Sequence, residues 1–182
     1  MAATRPTDDS WWRSRMVVIT VGLLALGIGF AVAVRFVKPA EPAPIDASAL
    51  FTHSFNDTEG RPQAISQWKG GWLVVNFWAT WCAPCVEEMP DLQRVQNEYI
   101  GRGVTIVGLA IDNATAVKRF RDELKLQLPL LIASAAGTDL ARELGNASGA
   151  LPYTVLVDPA GHVVRSKLGQ VRAAELRVWL DS

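Results

Sequence analysis

The hydrophobic pattern divides the chain before any motif is read. Met16 to Val34 is a run of nineteen residues without a charge. That is long enough to cross the hydrocarbon core of a bilayer as a helix at about 1.5 Å per residue, and it lacks the polar face that a helix in a soluble core keeps. From Pro39 to Pro44 the composition turns to Pro, Ala and Glu, an extended and semi-rigid spacer. The expected organisation is an N-terminal segment over residues 1–15, a transmembrane anchor over 16–37, a Pro/Ala-rich linker over 38–47 and a folded domain over 48–182.

Within that domain the run Leu73 to Ala79 is apolar apart from Asn76, which suits a central strand covered on both faces. Cys82 to about Tyr99 reads as a helix with Met89, Leu92, Val95 and Tyr99 near one side, and Pro90 predicts a kink in it. Val104 to Ile111 is a second buried strand, Ala114 to Leu126 a second helix, Leu128 to Ala133 a short strand and Thr138 to Leu144 a third helix. Val155–Val157 and Val163–Leu168 flank the turn Asp158-Pro159-Ala160-Gly161 as an antiparallel hairpin. A closing helix places Leu176, Trp179 and Leu180 at i, i+3, i+4 spacing. This order predicts an α/β fold, a mixed sheet flanked by helices.

Charge orients the parts. Arg5, Arg13, Arg15 and the amino terminus precede the apolar run, while Arg35 and Lys38 follow it. The positive-inside rule then puts the N-terminus in the cytoplasm and the domain on the far side of the membrane. Trp11 and Trp12 suit the interface. A cleaved signal peptide ending near Ala31-Val32-Ala33 is the rival, but the run exceeds the usual length of such a segment and basic residues follow it, which favours an uncleaved anchor. Charges balance overall, 18 basic against 18 acidic, with five of the former and three of the latter in residues 1–44. The slightly acidic domain that remains carries no nucleic-acid footprint.

The chemistry is concentrated in Trp81-Cys82-Ala83-Pro84-Cys85, which holds the only two cysteines of the sequence. A C-x-x-C pair between a strand and a helix is a redox centre by preference. The unpaired N–H groups and dipole of a helix amino end favour a thiolate there. Cys82 is the expected nucleophile and Cys85, one turn deeper, the resolving thiol. A zinc site would need two further ligands, and His53 and His162 each stand alone, so no metal and no cofactor is expected. A structural disulfide across so short a loop would restrict the unfolded chain little.

The stretch Val75 to Cys85 (VNFWATWCAPC), followed by Glu88-Met89-Pro90, resembles the TlpA/ResA-type thioredoxin-like proteins, bacterial membrane-tethered thiol–disulfide oxidoreductases. The resemblance extends to Gly149-Ala150-Leu151-Pro152-Tyr153-Thr154 and to the hairpin with Asp158 and Gly161, covering roughly 48–182. It implies a thioredoxin-like fold and a cis-proline at Pro152 facing the redox pair. Thioredoxins place a buried aspartate six residues before the first cysteine; here Asn76 stands there, and the resemblance implies that Glu88 is the acidic partner instead. Such a carboxylate raises thiol pKa values and can exchange a proton with Cys85.

A cis bond at Pro152 would expose neighbouring backbone groups to an extended substrate, with Leu151 touching it, although Pro152 also reads as an ordinary strand-initiating proline. Trp81 reads as a flat apolar wall beside Cys82 or as simple packing, and Pro84 as a residue that fixes the helix start. With Ala83, it adds no positive charge between the cysteines, and together with Glu88 this points to a reducing couple. The resemblance implies disulfide-containing protein partners such as apocytochrome c or oxidase copper-assembly factors; a membrane thiol protein is expected as electron donor, and the bilayer of the bacterial inner membrane as the anchor's partner, with a monomeric domain facing the periplasm. A copper carrier and a thiol peroxidase are the alternatives. The first would need His53 or His162 to approach the cysteines, and the second an isolated cysteine in a different loop.

Overall fold

The computed structural model describes residues 15–24, 27 and 44–182. The chain divides into two units, 1–43 and 44–182. In the first, helical backbone is described at 15–24 and at 27, with the side chains of 16–24 exposed. The rest of the expected anchor, and residues 1–14 and 38–43 of its flanking segments, lie outside the described residues. Among the described residues no helix is long and apolar enough to cross a membrane.

The second unit is one eight-stranded mixed sheet with helices against it. Its strands are β1 (Ile45–Asp46), β2 (Ser54–Asp57), β3 (Pro62–Ala64), β4 (Trp72–Trp78), β5 (Val104–Ala110), β6 (Leu130–Ile132), β7 (Tyr153–Val157) and β8 (His162–Leu168). Its helices are α1 (Ala83–Tyr99), α2 (Ala114–Leu124), α3 (Ser134–Glu143) and α4 (Ala173–Leu180). The strand order is β1-β8-β7-β4-β5-β6-β2-β3. β4 and β5 pair in parallel, as do β5 and β6, whereas β7 runs antiparallel to both β4 and β8.

The period of two along β4 builds two cores. Val74 and Trp78 face one way and pack with Met89, Leu92 and Val95 of α1, Val117 of α2 and Leu176 of α4. Leu73, Val75 and Phe77 face the other way and pack with Leu140 and Ala141 of α3 and with Leu50. Asn76 therefore stands on the α1 side of the sheet. Its register partner on β5 is Gly108. A Cβ there would lie 2.6 Å from Leu130 Cδ2 and 2.9 Å from Trp78 Nε1, so a glycine is required for the indole to lie across the strand.

The central strands and the hairpin fall where the pattern puts them, and three differences have physical causes. The hairpin β2–β3, which extends the sheet beyond β6, is short and polar, without an alternating apolar run to announce it. β1, at the end of the expected linker, pairs with β8, and the folded unit begins at Pro44. The third helix starts at Ser134 instead of Thr138. Its first turn is Ser-Ala-Ala-Gly, which has no apolar stripe, and Gly137 is there for close approach: a Cβ on it would meet Ala133 Cβ at 2.8 Å and Ile111 Cγ1 at 3.2 Å. α1 continues through Pro90 from Ala83 to Tyr99.

Candidate active site

β4 ends at Trp78, and the chain passes through Ala79, Thr80 and Trp81 into α1. Asp112, following β5, fastens this connection: its carboxylate accepts from the Thr80 backbone N–H at 3.0 Å and from the Thr80 hydroxyl at 2.5 Å. Burial pushes the Asp112 carboxyl up, but these bonds and those from Asn113 outweigh it and hold it below the usual carboxylate range. Asn113, whose Oδ1 accepts from the Ala116 N–H at 2.9 Å, is the N-cap of α2.

Cys82 occupies the N-cap of α1 in extended backbone, and Pro84 lies in the first turn, where its missing N–H leaves no intrahelical bond unmade. Cys82 and Cys85 are joined as a disulfide with Cα atoms 5.2 Å apart. The two sulfurs are not equivalent: Cys82 keeps 7% of its surface exposed and Cys85 none. Only the outer one can be reached by a partner. Trp81 beside it is 70% exposed, so its indole is not core packing. Ala83 and Pro84 are exposed as well.

The Leu151–Pro152 peptide is cis. The turn before it is built around the buried Asn146, whose Nδ2 donates to the Ala150 carbonyl at 2.9 Å and whose Oδ1 accepts from the Ser148 hydroxyl at 3.0 Å. Beyond it, Tyr153 donates its hydroxyl to the Leu144 carbonyl at 2.7 Å, and the Gly169 N–H donates to the Pro152 carbonyl at 2.8 Å. Leu151 is half-buried against both cores. Pro152 is thus held from both sides.

Glu88 is fully buried, on α1 three residues after Cys85. Its Oε1 accepts from Asn76 Nδ2 at 2.7 Å, and its Oε2 accepts from the Val171 backbone N–H at 2.7 Å. The second hydrogen of Asn76 Nδ2 goes to Thr154 Oγ1 at 2.9 Å. Burial raises the Glu88 pKa to about 7, against the opposing pull of its two donors and of Lys167 and Arg172. Glu87, its neighbour, is exposed and accepts from the Gln170 side-chain amide at 3.5 Å. His53 stacks on Phe55 and His162 faces Asp158.

The structure therefore brings Cys82, Cys85 and Glu88 onto one helix end and fixes Leu151 and Pro152 on a separate loop. From the sequence no role is assigned to Thr154, Val171 or Asn146, nor to a Thr80–Asp112 clasp. A signal existed for the first: Asn76 and Thr154 are lone polar residues in apolar strands, and a polar side chain buried on a strand needs a partner. The Val171 donor is a backbone group, and no side chain advertises it.

Residues 38–177 match the Redoxin family. Over 166 residues the chain is 32% identical to the thiol-disulfide oxidoreductase ResA of Bacillus cereus, covering 90% of this chain and 92% of that protein. Among solved structures, a thiol:disulfide interchange protein of the thioredoxin family from Chlorobium tepidum superposes with a TM-score of 0.64 at 28% identity, covering 79% of this chain and 97% of the other. A DsbF homologue from Corynebacterium diphtheriae superposes with a TM-score of 0.65 at 25% identity, covering 80% and 90%.

Proposed function

We propose, on the premise that this chain belongs to the Redoxin family and is a thiol–disulfide oxidoreductase of the ResA type, that it reduces protein disulfides outside the cytoplasm. The observation that carries the direction is the buried carboxylate Glu88, one helical turn after a Cys82–Cys85 pair with no positive charge between its cysteines. A thiolate that is not specially stabilised makes the dithiol a good electron donor.

The dithiol form acts in two steps. The Cys82 thiolate attacks one sulfur of the substrate disulfide, forming a mixed disulfide and releasing one substrate thiolate, which takes a proton. Cys85 then gives its proton to ionised Glu88, and its thiolate attacks the Cys82 sulfur. The second substrate thiol leaves, and the Cys82–Cys85 disulfide remains. Two electrons have passed to the substrate, and an external dithiol, a membrane thiol protein, restores the reduced pair.

Trp81, Leu151 and Pro152 are the surface on which the substrate lies, an extended segment against the cis-proline loop. The substrates proposed are apocytochrome c, whose haem-attachment cysteines close into a disulfide, or oxidase copper-assembly factors. In an oxidising compartment such a reductant needs selective targets. The domain is held as a monomer on the periplasmic side of the inner membrane by the anchor at 16–37, with residues 1–15 in the cytoplasm and 38–43 as spacer ahead of the folded unit that begins at Pro44. The uncharged run 16–34 and the exposed apolar side chains of Met16 to Leu24 support the anchor.

The test mixes the full chain, reduced and kept in detergent, with an oxidised Cys-x-x-Cys-His peptide, and the oxidised chain with the same peptide reduced. Transfer of electrons to the oxidised peptide, with little reaction in the opposite arrangement, is the expected result. Efficient oxidation of the reduced peptide together with failure to reduce the oxidised one would overturn the proposal.

A further inference from the structure

The hydrogen bonds around Glu88 both come from N–H donors and suit its ionised form. The Val171 N–H can donate and cannot accept, so Oε2 remains an acceptor in either protonation state. The side chain hydrogen-bonded to Glu88 is Asn76, at 2.7 Å from Oε1, so a proton on Glu88 that is to be shared with a side chain lies on Oε1 and meets the Asn76 NH2. Two donors would then point at each other inside a fully buried site. Meanwhile Asn76 Oδ1, also buried, has no hydrogen-bond partner among the described residues.

One rearrangement answers both problems. A half-turn of the Asn76 amide about its last torsion exchanges oxygen and nitrogen with almost no change of shape. Oδ1 then accepts the Glu88 proton. Thr154, which now accepts from Nδ2 at 2.9 Å, turns its hydroxyl to donate to Oδ1, because a hydroxyl serves equally as donor and acceptor. The unpartnered position passes from an oxygen to a nitrogen.

We propose that Asn76 is a positioning residue whose side-chain amide reverses with each protonation and deprotonation of Glu88, so that the acid is accommodated in both states of the proton-transfer step. This rests on the reading of Glu88 as the proton partner of Cys85. It also gives a reason for an amide at position 76, since an aspartate there would put a second titrating carboxyl against Glu88 and divide the proton between them. The other charged groups acting on Glu88 are Lys167 on β8 and Arg172 ahead of α4, both favouring its ionised form. The disulfide on α1 does not titrate, and β4 and β7 contribute only Asn76 and Thr154.

The test is nuclear magnetic resonance on the full oxidised chain in detergent, with 15N-labelled asparagine and 13C-labelled glutamate, from pH 5 to 9. The Asn76 side-chain NH2 signals are expected to shift in a single step with the same midpoint as the Glu88 carboxyl carbon. In Glu88→Gln the oxygen of the introduced amide must accept from Val171, and its NH2 must face Asn76. The Asn76 signals of that variant should be independent of pH and coincide with the low-pH limit of the wild type. Asn76 signals that stay fixed while the Glu88 carbon titrates, or a Glu88→Gln spectrum matching the high-pH limit, would overturn the reversal and leave Glu88 as proton partner standing. A Glu88 carbon that does not titrate in this range would defeat both.

Discussion

Replacing Cys85 with serine is expected to let exchange begin and prevent it from finishing. Cys82 alone can still attack a substrate disulfide, but no second thiol can displace the product, so the mixed disulfide accumulates. Repeated turnover should fall on the order of 10³-fold, the scale on which removal of a reacting group acts, while a covalent adduct through Cys82 appears on a non-reducing gel and by mass. Cys82→Ser should lose turnover as completely and trap nothing. The asymmetry follows from burial, 7% against none. Because the buried site places a new serine hydroxyl among apolar neighbours, at a cost of about 1–3 kcal/mol, Cys85→Ala serves as the second variant. Trapping by Cys82→Ser, with none by either Cys85 variant, would reverse the assigned order.

The second large effect is on pH dependence, and Glu88→Gln isolates it. In the folded chain the Glu88 pKa rises from the ordinary 4.5 to about 7 because burial disfavours its charge. Between those values the folded state holds a proton that the unfolded state has lost, so stability falls as pH rises. The contribution is fully present below pH 4.5 and gone above pH 7, a loss of about 3 kcal/mol. Carboxylates held by cations act in the opposite window. Glu59, brought down to about 2 by hydrogen bonds from Lys118 and Arg121, favours the fold above pH 4.5 and loses that effect as pH falls through 2. Denaturant midpoints of the oxidised protein measured from pH 5 to 8 should decline in the wild type and flatten in Glu88→Gln. The variant should also be the more stable at pH 8, and its resolving step should slow by about 10²-fold or more. A wild-type profile parallel to that of the variant would contradict the assigned burial of charge.

How much of this the sequence discloses depends on the kind of interaction. Runs such as Leu73–Ala79 and Val104–Ile111 announce buried strands through solvation alone, and the structure has β4 and β5 there. Cys82, Cys85 and Glu88 lie at successive three-residue steps along one helix, so helical spacing is enough to place them together. The β2–β3 hairpin is not legible in the same way, because Ser54-Phe55-Asn56-Asp57 buries only Phe55 and gains its place from pairing with β6. Long-range polar closure is hidden most. Thr154 is 78 residues from Asn76 and Val171 is 83 from Glu88, and only the crossover topology brings them to one point.

The most direct test of the central claim, a reducing dithiol governed by a buried acid, is the midpoint potential of the Cys82–Cys85 couple in the full chain. It would be equilibrated in dithiothreitol or glutathione buffers at pH 7 and read by alkylation of free thiols. The account predicts a value close to that of thioredoxin, about −270 mV, well below an oxidising compartment's poise of about −200 mV. A value of about −120 mV, in the range of strong disulfide donors, would contradict it and make the protein an oxidant.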